Sequence, residues 1–185
     1  MNALEKIPDF DKAQIFLDIM DPDGIFTFQT FPDNPDNRTS RAPCVLHGTF
    51  PQHKEALASL NAAGHGIFFM VNKGDGLTKS DKKTCRTNSN VICIRAFFLD
   101  LDGAPLEPVL KACPPDIVVE SSLGKWHAYW LVSGCPLQLF KTVQINLAEK
   151  FNGDPLVNDL ARVLRIPGFF HQKATPFQSR LVLPK

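Results

Sequence analysis

The sequence predicts a fold of mixed helices and strands in one domain, and three observations support this prediction. The chain has 185 residues, which is enough to bury one full hydrophobic core. Its hydrophobic content of 44% and charged content of 21% are ordinary for a soluble globular protein. Segments with helical spacing of apolar residues alternate along the chain with short apolar runs typical of strands. We therefore expect an alternating α/β order.

The expected helices are those segments where apolar spacing and flanking turn residues agree. They are Ala13–Met20, Pro51–Ala63, Pro105–Ala112, Leu137–Phe151 and Pro155–Leu164. The first ends before a turn-forming run, Asp21-Pro22-Asp23-Gly24. In the second, Pro51 suits a first turn and Gly64 suits a C-terminal end.

The expected strands are short apolar or alternating runs between turn signals. They are Ile25–Phe31, Gly66–Asn72, Ile92–Asp102, Ile117–Glu120, Trp126–Val132 and Ser179–Leu183. Two polar stretches, Pro32–Pro43 and Lys73–Asn90, are expected to be loops. The second is the longest irregular stretch, of the kind that is usually functional or disordered.

Composition also bears on the environment and on metal sites. No apolar stretch approaches the roughly 20 residues that span a bilayer, and the first residues lack the order of a signal peptide. We expect a cytoplasmic protein without a membrane partner. The five cysteines form no CxxC pair, so neither a disulfide framework nor a structural zinc is expected, although Cys44 and His47 are three apart.

Charge is unevenly distributed along a chain whose net charge is only +1. Residues 1–36 hold eight acids and two lysines, whereas residues 160–185 hold five cations and no acid. A second basic stretch runs from Lys73 to Arg86. If the two basic segments lie close together in the fold, they would form a positively charged surface that could bind a polyanion. Taken alone, such runs are better interpreted as solvated faces.

The strongest local signal is the segment FFLDLDG, which ends at Gly103. Side chains alternate along a strand, so Asp100 and Asp102 point the same way while Leu99 and Leu101 point into the core. Two carboxylates about 7 Å apart along a strand repel each other unless a cation lies between them. Oxygen ligands of this kind suit Mg²⁺ or Mn²⁺. The alternative is that both acids merely occupy a strand end.

An acidic pair at a strand end also occurs in phosphatases of the haloacid-dehalogenase type, where the first Asp is a nucleophile. That motif normally carries Thr or Val two residues after the second Asp and lies on the first strand of the domain. Here Ala104 fills the position, and about half the chain precedes it. The phosphatase interpretation is therefore weaker.

A second signal is the segment VVESSLGKWHAYW, which predicts a hairpin with a tight turn. His127 and Tyr129 fall on one face of its second strand. Trp126, Ala128 and Trp130 fall on the other face, which we expect to point towards the core. The turn contributes Ser121, Ser122 and Lys125, whose donors suit phosphate oxygens. His127 follows directly and is positioned to donate to a phosphate, although a lone His on a strand is more often structural.

A third signal, GDPLVNDLARVLRIPGFFHQK, offers two acids and three cations. Arg162 and Arg165 are three apart, on one side of the predicted helix. Asp154 suits its N-terminus and Pro155 its first turn. A capping role is the better interpretation of Asp154.

These three segments, in this order and spacing, resemble the motifs of the archaeo-eukaryotic primase superfamily, with the plasmid- and phage-type replication primases and primase–polymerases as the nearest branch. The resemblance covers roughly residues 65–175. It implies an α+β fold, with a primase–polymerase core built on an RRM-like antiparallel sheet and a smaller N-terminal α/β unit. Residues 1–185 would form one catalytic domain, divided near residue 90 into an N-terminal unit (1–90) and an RRM-like catalytic unit (91–185).

The resemblance also implies a chemistry: template-directed nucleotidyl transfer on single-stranded DNA, with Mg²⁺ or Mn²⁺ as cofactor. The implied metal carboxylates are Asp100, Asp102 and Asp159, with Asp154 in reserve. His127 would contact the incoming NTP or dNTP, beside Ser121, Ser122, Lys125, Arg162, Arg165 and Lys173. A helicase or helical accessory domain is an expected further partner. The alternatives are a non-catalytic replication-initiator or single-strand-binding module and then the phosphatase.

Overall fold

The computed structural model describes residues 6–34, 42–78, 80 and 83–183. The α-helices in this part of the chain are α1 (Phe10–Met20), α2 (Phe50–Ala62), α3 (Glu107–Ala112) and α4 (Phe140–Phe151). The longer strands are β1 (Ile25–Pro32), β2 (Val45–Thr49), β3 (His65–Met70), β6 (Ala96–Leu101), β7 (Ile117–Ser122), β8 (Lys125–Leu131) and β12 (Arg180–Leu183). The short strands are β4 (Lys73–Gly74), β5 (Val91–Cys93), β9 (Val163–Arg165), β10 (Phe170–His171) and β11 (Phe177–Gln178).

Two four-stranded antiparallel sheets organise the fold. The first sheet has the order β2-β1-β3-β9 and the second has the order β12-β7-β8-β6. This arrangement confirms the α+β class and the antiparallel sheet expected for residues 91–185. Because β9 lies late in the chain but pairs with β3, the first sheet contains residues from both halves of the sequence. The predicted division near residue 90 stays a prediction.

A shared hydrophobic core joins the two sheets. The ring of Phe69 on β3 lies 6.4 Å from that of Tyr129 on β8, and the ring of Phe16 on α1 packs edge-on against both. These three side chains have no exposed surface. These aromatic contacts therefore hold the two sheets against each other.

The second sheet is covered on its other face as well. Leu99, Leu101 and Ala128 pack there with Val109 of α3 and with α4. Trp126 and Trp130 pack against the same cluster, as predicted for this face of β8. The opposite face of β8 is equally buried, because Tyr129 contributes to the shared core.

Two predicted elements are wrong. The expected helix Pro155–Leu164 is a series of turns followed by β9, since the Asp154 carboxylate accepts the Leu156 N–H and the Asn158 amide donates to the Pro155 carbonyl. Such local bonds compete with helical ones. The expected strand Ile92–Asp102 is divided into β5 and β6, because the chain changes from pairing with β4 to pairing with β8.

The remaining differences are shifts of boundaries and short additions. Residues Leu137–Leu139, expected in the fourth helix, form a 3-10 turn before α4. Strand β2 lies beyond the predicted loop Pro32–Pro43, whose residues 35–41 lie outside the described part of the chain. Of the helices in the described residues, none has the length and apolar character needed to span a membrane.

Candidate active site

The first two sequence motifs meet at one end of the second sheet, and part of the third motif faces them from the first sheet. Strands β6 and β8 pair antiparallel with Asp100 opposite His127. The Nε2 atom of His127 lies 3.7 Å from Oδ1 of Asp100. Asp102 follows the end of β6, one residue before Gly103, which adopts a φ of +102° that favours glycine. The predicted hairpin is confirmed by the antiparallel pairing of β7 with β8.

A cleft of about 430 Å³ opens beside these residues, between the two sheets. From the second sheet and its turn it is lined by Asp100, Asp102, Ser121, Ser122, Lys125 and His127. From the first sheet and the segments that follow it, the lining includes Phe31, Asp33, Phe68, Arg165, His171 and Lys173. Acids and cations therefore face one shared space.

Strand β6 is an edge strand, and helix α4 secures it. Gln144 of α4 accepts the Phe98 N–H at 3.0 Å and donates to the Phe98 carbonyl at 3.0 Å. The loop after α4 presses on the same strand, where a Cβ on Gly153 would lie 2.4 Å from the Leu99 side chain. The Asp154 N–H then donates to the Asp100 carbonyl. These contacts fix the backbone on which Asp100 is presented.

The Asp100 carboxyl lies in a setting that disfavours its charge. Burial, followed by the charges of Asp102 and Asp154, raises the pKa of Asp100 to about 6, against the opposing effects of Arg162 and Lys125. Its side chain is 26% exposed, whereas that of Asp102 is 61% exposed. Added positive charge at this point would favour the ionised form of Asp100.

His127 is buried and neutral. Burial, and then the charge of Arg165, lowers the pKa of its imidazole to about 3. The hydroxyl of Tyr129 lies 3.4 Å from Nδ1, a long hydrogen bond, and burial raises the pKa of that hydroxyl. A protonated hydroxyl that donates to Nδ1 leaves the ring proton on Nε2. In that tautomer the Nε2–H faces the Asp100 carboxylate and can donate to a ligand.

The turn between β7 and β8 provides the donors of the second sheet. Gly124 has a φ of +71°, and its N–H donates to the Glu120 carboxylate at 3.1 Å. The Ser121 hydroxyl donates to the Lys125 carbonyl at 3.3 Å. The ammonium of Lys125 is 2.5 Å from Asp102. A bound anion would compete with Asp102 for this half-exposed lysine.

The first sheet contributes a second wall that the sequence predicted only in part. Arg165 and Lys173 line the cleft as expected, but Arg165 lies on a strand and not on a helix shared with Arg162. Asp33, His171 and Phe68 were not predicted. Burial, and then the charge of Arg165, lowers the pKa of His171, whose Nε2 is buried without a hydrogen-bond partner. Sequence spacing gives no signal for them, because β9 brings them together only through its pairing with β3.

Two predicted site residues lie outside the cleft wall. Asp159 does not line the cleft, and its carboxylate pairs with Arg162 at 2.6 Å. Arg162 also donates to the Leu156 carbonyl at 2.7 Å. Of the two acids in this loop, Asp154 is the one whose charge raises the pKa of Asp100; it was expected to cap a helix and instead closes a turn. The charge of Arg162 still reaches Asp100, so this loop belongs to the surroundings of the site.

Among the described residues, no group of three or more His, Cys, Asp or Glu side chains is arranged to hold a metal ion. The Cys44 and His47 pair, for which zinc was not expected, makes separate contacts with Thr30 and Thr27. The metal roles of Asp100, Asp102 and Asp159 stay predictions.

Comparison with known proteins bears on the family and the fold. Residues 100–181 match the family model of the RepB DNA-primase N-terminal domain. A replication protein of Clostridium perfringens is 30% identical over 112 residues. That match covers 50% of this chain, and the chain spans only 27% of the length of that relative.

Two solved structures of primase domains share this fold. The AEP domain of the cyanophage S-2L primase-polymerase superposes with a TM-score of 0.73 at 18% identity, over 96% of this chain and 91% of that one. The catalytic domain of primase RepB′, in complex with initiator DNA, gives a TM-score of 0.65 at 16% identity, over 92% and 82% of the two chains. At these identities the likeness concerns the fold. Together with the family match over residues 100–181, it confirms the resemblance to the archaeo-eukaryotic primase superfamily.

Proposed function

Starting from a chain that resembles the archaeo-eukaryotic primase superfamily in its motifs and its fold, we propose that it transfers nucleotidyl groups to DNA under the direction of a single-stranded template. The reaction is primer synthesis, primer extension or both, in plasmid or phage replication. The observation that carries this proposal is the meeting of Asp100, Asp102 and His127 with the Ser121–Lys125 turn in one cleft.

The acidic end of this cleft suits a divalent metal. Burial and the neighbouring carboxylates raise the pKa of Asp100, and a bound cation would offset both effects by stabilising its ionised form. We propose that Asp100 and Asp102 hold Mg²⁺ or Mn²⁺, with Asp154 or Asp159 as the third acid. Two carboxylates suffice in principle, since Mg²⁺ is commonly bound by one or two carboxylates and by the phosphates of the substrate. When bound, the metal activates the attacking hydroxyl and stabilises the charge on the phosphates.

The other cleft residues have roles that follow from their chemistry. The neutral His127 donates from Nε2 to a phosphate oxygen without adding a charge that would need compensation in a buried place. Lys125, Arg165 and Lys173 provide positive charge to the triphosphate from both sides. Fixed donors and charges aligned with the phosphates lower the barrier by positioning and electrostatics.

The proposed partners are single-stranded DNA and an NTP or dNTP, together with a helicase or a helical accessory domain. DNA binding draws support from the RepB′ catalytic domain, which was solved in complex with initiator DNA. The experiment that tests the function is incubation with single-stranded DNA, labelled nucleotides and Mn²⁺ or Mg²⁺, with and without a primer. We expect metal-dependent incorporation of label. Absence of incorporation under all of these conditions would contradict the proposal.

A non-catalytic single-strand-binding module is the second candidate, favoured by one observation. Phe31 and Phe68 are partly exposed in the cleft, with ring centroids 5.5 Å apart, and aromatic rings of this kind stack on bases. A module of this kind binds DNA without incorporating nucleotides, so the same experiment separates the two. The phosphatase interpretation predicts hydrolysis of simple phosphate monoesters without a template.

A further inference from the structure

Arg165 of the first sheet is held in the cleft wall by three contacts. Its Nη2 donates to Oδ1 of Asp33 at 2.6 Å. Its guanidinium lies over the ring of Phe68, 4.6 Å from the centroid. Its Nη1 passes so close to Gly66 that a Cβ there would lie 2.4 Å away. An arginine side chain that is normally free to move is thereby restricted to one position.

Asp33 is the centre of this arrangement. Asp33 is only 3% exposed, and its backbone N–H donates to the Gly64 carbonyl at 3.0 Å. Its second carboxylate oxygen, Oδ2, accepts the N–H of Gln172 at 2.7 Å. One buried carboxylate therefore connects the end of β1 with the guanidinium on β9 and with the backbone between His171 and Lys173.

The position of Arg165 matters to the opposite wall of the cleft. Arg165 and His171 line the same cleft as His127, which lies on the other sheet. The triphosphate-binding groups proposed above thus lie on two sheets, and their separation depends on how the first sheet presents Arg165.

We infer that Asp33 is a positioning residue for the nucleotide site, which fixes Arg165 so that a triphosphate is bound between Arg165 on one sheet and His127 with Lys125 on the other. This inference rests on the proposed function. Asp33 itself does not contact the substrate. Its carboxylate acts through the guanidinium, and it orients the charge that the phosphates meet.

The chain offers a matched control in Asp21, which forms a buried pair with Arg95 outside this cleft. The carboxylate of Asp21 accepts from Nε of Arg95 at 2.7 Å. Asp21 is 8% exposed and lines a different hollow. Removal of either buried carboxylate charge costs stability. Only the loss of Asp33 should change nucleotide binding.

The experiment compares Asp33→Asn, Gly66→Ala and Asp21→Asn with the wild-type chain. The quantities measured are the Kd for a labelled nucleoside triphosphate with Mn²⁺, the KM and kcat of incorporation, and the melting temperature. For Asp33→Asn we expect Kd and KM to rise about tenfold, the equivalent of about 1.4 kcal/mol, with kcat within about threefold. For Asp21→Asn we expect a similar loss of melting temperature and an unchanged Kd.

Gly66→Ala tests the same position without removing a charge. A methyl group there would meet the guanidinium of Arg165, the carboxylate of Asp33 and the ring of Phe68 within 3 Å, and would displace them. We expect Kd to rise in this variant too, by about fivefold. It also replaces Asp33→Asn as the test if that variant fails to fold.

A double-mutant cycle shows whether the loss of Asp33 weakens nucleotide binding through Arg165. If Asp33 acts through Arg165, the Asp33→Asn change should raise Kd by less than about twofold in an Arg165→Ala background. An unchanged Kd in Asp33→Asn and Gly66→Ala, or full additivity in the cycle, would overturn the inference. The wild-type assay keeps the two proposals apart: a wild-type chain that binds nucleotide without incorporating it would contradict the proposed function and leave the Kd comparison decisive for Asp33.

Discussion

Two concave regions of this molecule have almost the same size and different chemistry. The cleft between the sheets has a volume of about 430 Å³, and a hollow near the end of α1 has a volume of about 410 Å³. Each contains a buried Asp–Arg pair whose guanidinium lies on a phenylalanine ring. In the hollow, Arg95 lies 4.5 Å from the centroid of Phe26 and pairs with Asp21.

The difference lies in what surrounds each pair. In the hollow, Arg95 also donates to the Ile25 carbonyl, and much of the lining is apolar, including Met20, Ile94 and Val132. In the cleft, the corresponding pair faces further acids, cations and hydroxyls. Because both regions share a similar volume and a buried ion pair, neither property distinguishes a functional site in this molecule. The cleft differs in that acids, cations and hydroxyls from two sheets line one space.

The largest expected effect belongs to the acidic strand. Replacing Asp100 or Asp102 by alanine should lower nucleotide incorporation by about 10³-fold or more, equivalent to about 4 kcal/mol, because the proposed metal loses a ligand. The measurement is the incorporation rate on primed single-stranded DNA with Mn²⁺ or Mg²⁺. A variant that keeps activity within tenfold of wild type would end the metal assignment.

A smaller effect is expected at the buried histidine. Replacing His127 by alanine removes the Nε2 donor and should raise the KM for nucleotide by about tenfold or more, equivalent to at least about 1.4 kcal/mol, with a smaller change in kcat. Nucleotide titration monitored by equilibrium binding checks this expectation. Unchanged affinity would remove the proposed role of His127.

The pH dependence of the unfolding free energy tests the environment of Asp100 in the cleft without any activity assay. The pKa of Asp100 is about 6 in the folded protein, above the ordinary aspartate value of 3.8, so the folded state binds more protons than the unfolded state between these two pH values. Stability contributed by this group therefore falls as pH rises from about 4 to about 6 and stays low above that range. In the metal-free protein at pH 7.5, Asp100→Asn should be more stable than wild type by about 2 kcal/mol, or about 5 °C in melting temperature.

That advantage should disappear below about pH 4, and Mn²⁺ should stabilise the wild-type protein more than the variant. Thermal melts at several pH values, with and without Mn²⁺, provide the data. An equal melting temperature for both proteins at pH 7.5 would argue against a raised pKa of Asp100. So would a stability advantage of the variant that grows as pH falls.

The smallest effect on activity is expected in the hollow. Asp21→Asn leaves Arg95 with a weaker buried partner and should destabilise the fold by a few kcal/mol, while incorporation changes less than about twofold. Denaturant melts combined with the incorporation assay test both parts. A tenfold loss of activity at unchanged nucleotide affinity would show that the hollow contributes to catalysis.

Local pattern predicted much of the fold and the centre of the site. The strand alternation that placed Asp100 and Asp102 on one face is a short-range property, and the hairpin at Gly124 is set by its own turn residues. The helix expected from Pro155 failed because Asp154 and Asn158 bond to the nearby backbone. Strand β9 and its Arg165 depend on pairing with β3, about a hundred residues earlier, so sequence spacing could not reveal Asp33 as the partner of Arg165.

The most direct test of the central claim is the identity of the nucleotide that the chain adds. On primed single-stranded templates that differ only in the first unpaired base, and with Mn²⁺ present, we predict addition of the complementary nucleotide in each case and its loss in Asp100→Ala. Addition that ignores the template base, or that persists in Asp100→Ala, would contradict template-directed transfer at this cleft.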